Sequence, residues 1–231
     1  MTCAPARSAT GSRRGAARRA LAGALWLGLA AAAPAANAML PAPGAPSLFG
    51  SLEQRLDGLS MFPKWQGAVS RHFDESRLPD TGCEPGPFTR CHLREWAAFL
   101  DGVRGIDRRR QIEAVNAFMN RRRYVIDPRN YGMPDYWATP RQFLSRDGDC
   151  EDYAIAKYMS LRDLGVDPAA MRIVVLQDLN LGVAHAVLVV WHDGRPLVLD
   201  NQIDAVVEDR VINHYRPIYS INERHWWLHR R

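Results

Sequence analysis

The chain has 231 residues, with 30 Lys and Arg, 25 Asp and Glu, and four cysteines. That length suits one domain with a substantial core. The basic excess does not argue for nucleic-acid binding, because Arg7, Arg13, Arg14, Arg18 and Arg19 precede every acid. Beyond residue 38 the chain holds 25 basic and 25 acidic residues.

The arginines form a positive segment, Ala20 to Ala33 an apolar run, and Ala36-Asn37-Ala38 a small-x-small cleavage site. That is the order of a secretory signal peptide, expected over residues 1–38. The run is short for a membrane span, so the mature chain is expected to have none, with a retained N-terminal anchor as the alternative. Export implies an oxidising compartment. Cys3 leaves with the signal, and Cys83 and Cys91 flank a Gly/Pro-rich stretch suited to a short disulfide loop. The count then leaves Cys150 unpaired, as either a reactive thiol or a buried inert one.

Residues 39–50, with Pro41, Pro43, Gly44 and Pro46, read as a flexible lead-in to a single domain over 51–231. Three apolar stripes predict interrupted helices: Leu52, Leu56 and Leu59; then Trp65, Val69 and Phe73; then Leu93, Trp96, Ala97 and Leu100. A further helix is predicted over Gln111 to Arg123, with Ile112, Val115, Phe118 and Met119 inward. The arginines at 108–110 and 121–123 read as solvated helix boundaries paired with nearby acids. Pro128 to Pro140 is aromatic and turn-rich, placed to pack over the start of the next long helix. Asp147 to Asp152 opens that helix, which runs to about Leu164 and is stopped by Gly165.

Composition then turns to strands: Met171–Leu176, Val183–Trp191 and Pro196–Asp200, with a hairpin turn at Asp193-Gly194. Extended segments are also expected at Val206–Val207 and Ile218–Ile221. Helices first and an antiparallel sheet afterwards make an α+β domain.

Asp149 is a natural N-cap with Asp152 at the capping-box position, which puts Cys150 in the first helical turn. There the helix dipole and exposed N–H groups favour a thiolate and could receive an oxyanion. A turn centred on Asp193-Gly194 pairs residues whose numbers sum to 387. His185 and Asp200 then become diagonal neighbours on one face, within reach of each other. A one-residue slip would separate them. Asp200 orienting His185, and His185 serving Cys150, is the logic of a cysteine nucleophile with its base. A core histidine is the alternative reading for His185 alone.

Asp149, Glu151 and Asp152 crowd negative charge around that thiol and would oppose its ionisation. Capping explains them, and so does a bound hard cation, for which oxygen ligands favour Ca²⁺ over Zn²⁺. The residues alone leave both open.

Tyr136-Trp137-Ala138-Thr139-Pro140, followed by Gly148-Asp149-Cys150-Glu151-Asp152-Tyr153-Ala154-Ile155-Ala156-Lys157-Tyr158, resembles the bacterial transglutaminase-like cysteine proteinases. His185 in Ala184-His185-Ala186-Val187-Leu188 and Asp200 in Leu199-Asp200-Asn201 match the family's His and Asp, over roughly residues 50–225. The resemblance implies a papain/transglutaminase-like fold with the nucleophile helix packed on an antiparallel sheet. It implies a periplasmic, Ca²⁺-dependent cysteine endopeptidase with Cys150, His185 and Asp200 catalytic and Asp149, Glu151 and Asp152 as metal ligands. The implied substrate is the N-terminal region of a large surface adhesin, and the implied regulator an inner-membrane receptor for cyclic di-GMP. A transglutaminase or amidase, or a non-catalytic calcium-dependent binding module, are the other readings.

Overall fold

The computed structural model describes residues 48–78 and 91–230. The expected signal peptide, most of the lead-in, and Cys83 lie outside them. The elements in chain order are β1 (Leu52–Asp57), α1 (Pro63–Ser76), α2 (His92–Val103), α3 (Arg108–Met119), α4 (Asp127–Asn130), α5 (Pro140–Arg146) and α6 (Cys150–Asp163). They continue as β2 (Met171–Asp178), β3 (Val183–His192), β4 (Arg195–Leu199), β5 (Val207–Glu208), β6 (Tyr215–Ile221) and β7 (His225–Arg230). The strands form one antiparallel sheet in the order β1-β7-β6-β2-β3-β4-β5.

The α+β expectation holds, with one correction. Leu52 and Leu56 are four apart, a spacing that suits a helix turn and also, being even, a strand. The segment is β1, an edge strand paired with β7 from Leu52 opposite Arg230 to Asp57 opposite His225. Pairing with a distant strand overrides the local pattern, and Leu52 stays exposed. The α3 helix also starts earlier than predicted and ends at Met119. Asp107 accepts from the Arg110 N–H at its N-terminus, and Asn120 closes its C-terminus. The arginine clusters pair with acids as expected, Arg109 with Glu113 and Arg122 and Arg123 with Asp147.

The α6 helix is the centre of the packing. It lies against β3 and β2 and is flanked by α3 and α5, and every residue from Cys150 to Leu161 is buried. Ile155 and Met159 share a core with Ile173, Val175, Ala186, Leu188, Val190, Leu197 and Leu199. The alternate residues Val174, Leu176, Val187, Val189 and Val198 build a second core with Leu48, Ile212 and Tyr215. This is the period-2 alternation of a sheet covered on both sides. Among the described residues, no helix is long and apolar enough to cross a membrane.

One consequence of burying α6 all round falls on Lys157. Its ammonium is fully buried with no hydrogen-bond partner. Burial lowers its pKa to about 7 from 10.5, against the opposing pull of Asp200 and Asp204. The unfolded chain therefore holds this proton between about pH 7 and 10.5 while the folded chain has lost it, so Lys157 makes stability rise with pH across that window. Lys157→Met is expected to raise unfolding free energy at pH 7 by about 1–3 kcal/mol, the cost of an unsatisfied buried polar group. Denaturant melts from pH 7 to 9.5 should show the variant losing the upward slope of the wild type.

Candidate active site

The three predicted reactive residues come from two parts of the fold. Cys150 is the first residue of α6, and its N–H end is shaped by the residue before it. The Asp149 N–H donates to Asp152 Oδ2 at 3.3 Å, and the Asp152 N–H donates to the Asp149 carbonyl at 3.1 Å. His185 lies on β3 and Asp200 one residue beyond β4. Their strands pair as Leu188 opposite Leu199, Val189 opposite Val198 and Val190 opposite Leu197. Every one of these pairs sums to 387, the register expected from the sequence. Asp193 and Gly194 both have positive φ, 51° and 73°, the backbone of a type I′ hairpin turn. That register brings His185 Nε2 to 2.9 Å from Asp200 Oδ1, with both side chains buried.

The Asp200 carboxylate is held by more than the histidine. The Tyr215 hydroxyl donates to Oδ2 at 2.6 Å and the Gln202 N–H to Oδ1 at 2.8 Å. The Asn120 side chain donates to its carbonyl at 2.8 Å. Burial pushes the Asp200 pKa up, but His185, Tyr215 and Gln202 outweigh it and hold the group below its ordinary value. An ionised Asp200 accepts the Nε2 proton of His185. That assignment leaves the Nδ1 lone pair to accept from the Gln202 amide nitrogen at 3.4 Å.

Cys150 differs from the expectation in its state. Each of the two described cysteines, Cys91 and Cys150, is disulfide-bonded; Cys3 and Cys83 lie outside the described residues. Any nucleophilic role of Cys150 belongs to the reduced protein. Its Sγ lies 3.3 Å from Glu151 Oε2. The structure joins His185 to Asp200 directly and, among the described residues, shows no hydrogen bond from Cys150 to either.

The acids around α6's first turn are gathered with two others that the sequence pattern does not single out. One carboxylate oxygen each from Asp127, Asp149 and Asp152 lie within 4.8 Å of one another, and so do those of Asp127, Asp135 and Glu151. Asp127 opens α4 and Asp135 lies in the turn-rich segment after it. Two acids in and beside that segment were the available signal. Asp127 Oδ2 accepts the Tyr136 N–H at 2.5 Å, and Asp152 Oδ1 accepts the Ala138 N–H at 2.7 Å, so the segment is pinned over the first turn of α6. Burial raises Asp149 to about 7, and burial together with the neighbouring carboxylates pushes Glu151 and Asp152 well up. Among the described residues, Asp127 Oδ1 and Asp149 Oδ1 are buried with no hydrogen-bond partner. An all-oxygen set of crowded, desolvated carboxylates with orphaned lone pairs fits a hard divalent cation.

Asp127→Asn removes a charge shared by both groups of acids. It is expected to raise the Ca²⁺ concentration needed for half of the thermal stabilisation by about tenfold or more, as for lost ligands and their supports. Melting temperature against Ca²⁺ concentration, after chelation, reads this without any activity assay.

The family model for bacterial transglutaminase-like cysteine proteinases matches residues 93–228. Among solved structures, LapG from Legionella pneumophila is 31% identical over 70% of this chain and 87% of its own, with a TM-score of 0.56. Its calcium-bound form gives the same values, and the EGTA-treated form a TM-score of 0.55 at 31% identity, covering 70% of this chain and 85% of that one. No curated protein matches. A helix led by Cys150, an antiparallel sheet carrying a buried His–Asp pair, and these matches place the chain in the family of bacterial transglutaminase-like cysteine proteinases.

Proposed function

We propose that this cysteine peptidase is an exported, calcium-dependent endopeptidase in which Cys150, His185 and Asp200 form the catalytic triad. The observation that carries the reading is the buried His185–Asp200 pair, whose carboxylate is fixed by Tyr215 and Gln202. It lies in a chain whose family-defining cysteine starts the helix packed on the same strand. In the reduced protein His185 Nδ1, released by the Gln202 amide, takes the thiol proton, and the Cys150 thiolate attacks the peptide carbonyl to give a tetrahedral oxyanion. The imidazolium then protonates the amine, whose departure breaks the C–N bond and leaves the acyl-enzyme, and water, deprotonated by the same ring, releases the product. Asp200 holds Nε2–H and compensates the imidazolium charge. The backbone N–H of Cys150 is the first candidate donor to the oxyanion.

Asp127, Asp135, Asp149, Glu151 and Asp152 would hold the calcium, a reading supported by the crowding of their carboxylates, by the orphaned Oδ1 atoms of Asp127 and Asp149 among the described residues, and by the calcium-bound form of LapG. When bound, the ion supplies positive charge that offsets the acids opposing a thiolate. The family resemblance supports the N-terminal region of a large surface adhesin as substrate and an inner-membrane cyclic di-GMP receptor as regulator. The signal-peptide pattern supports a periplasmic site.

With reduced protein, Cys150→Ala is expected to cut release of the adhesin fragment by about 10³-fold or more; full release by that variant would sink the reading. Product formation that requires an added amine would favour a transglutaminase instead. Tyr215→Phe removes a hydrogen bond to a charged carboxylate worth about 1.5–3 kcal/mol. It is expected to lower kcat about tenfold with KM unchanged, measured by steady-state kinetics on an adhesin peptide.

A further inference from the structure

Three residues connect α5 to α6 and set where the nucleophile's helix begins: Asp147, Gly148 and Asp149. The first has φ 66° and ψ −171°, a backbone region that belongs almost only to glycine. A side chain there is strained, yet it is an aspartate, and it is buried. Gly148 comes next because no side chain fits: a Cβ at that position would collide with the Asp152 carboxylate. A turn under this constraint relaxes unless its surroundings hold it.

Its surroundings do hold it. Arg122 Nη2 lies 2.6 Å from Asp147 Oδ1 and Arg123 Nε lies 2.9 Å from Oδ2. The Arg123 N–H also donates to Oδ1, at 3.3 Å. The Asn130 side chain donates to the Asp147 carbonyl at 3.0 Å. Next along the turn, the Val125 N–H donates to the Gly148 carbonyl at 2.9 Å, within an isolated bridge between Tyr124 and Gly148. On the helix side, the Tyr153 hydroxyl donates to the Arg122 carbonyl at 2.6 Å. The stretch from Arg122 to Asn130 therefore grips the turn and the first helical turn together. It also carries Asp127.

We propose that Asp147, clamped by Arg122 and Arg123, is a positioning residue that holds the Asp147–Asp149 turn in its strained form and so fixes where α6 presents Cys150. The inference rests on Cys150 being the nucleophile. It explains why an aspartate occupies a glycine-type position: glycine would remove the strain but also the anion that the two guanidinium groups hold.

Asp147→Gly separates these two effects, since it accepts the backbone angles and deletes only the clamp. In fully reduced protein, well below the melting temperature, it is expected to lower kcat at least tenfold with little change in KM. The rate of Cys150 alkylation by iodoacetamide should fall in parallel, which a general loss of stability would not produce in protein shown to be folded by circular dichroism. Arg122→Gln should reproduce the loss, and the double variant should be no worse than the poorer single one. Wild-type kcat and alkylation in Asp147→Gly, or losses that multiply in the double variant, would overturn the proposal. Residual wild-type activity in Cys150→Ala would instead overturn the functional reading beneath it.

Discussion

Burying α6 on every side is the constraint from which the site arises. A helix start surrounded by protein places Cys150, Glu151 and Asp152 where water cannot screen charge. Each ionisable group there must be matched by another element or remain neutral. The same burial leaves the Lys157 ammonium without a hydrogen-bond partner among the described residues, two turns further on. The desolvation that makes a lysine costly inside the core is also what couples the carboxylates at the helix start so strongly.

The compensation comes from parts of the chain that are far apart in sequence. Arg122 and Arg123 reach Asp147 from the end of α3, and the α4 region contributes Asp127 and Asp135. On the sheet, the hairpin supplies His185 and Asp200, and Tyr215 crosses from β6 to the carboxylate. Cys150 is thus bordered by a basic clamp behind its turn and a cluster of acids beside it.

The His–Asp pairing was legible because a two-residue turn with Asp-Gly sets register by arithmetic, and a buried face punishes a slip. Cys150 was legible from local capping chemistry. Tyr215 was not, since its contact with Asp200 depends on how β6 aligns across β2, where a bulge interrupts the pairing between Val175 and Leu176. Asp127 and Asp135 were missed for a related reason: their place in the acid cluster depends on how a turn-rich segment folds back, and such a segment has no periodicity to read. The helical reading of β1 failed because an even spacing of leucines serves both periods, and only a partner strand far along the chain, with Leu52 opposite Arg230, decides between them.

That long-range pairing of β1 with β7 has a consequence for how the domain is made. The strand nearest the start of the described chain finds its hydrogen-bonding partner only in the strand nearest its end. The α6 helix and the β2–β3 and β3–β4 hairpins can assemble from contiguous sequence, but closing the far side of the sheet requires the large loop entropy of a non-local contact. A chain synthesised N-terminus first can therefore build the His185–Asp200 hairpin while β1 still waits. Completion of the sheet is tied to delivery of its last strand.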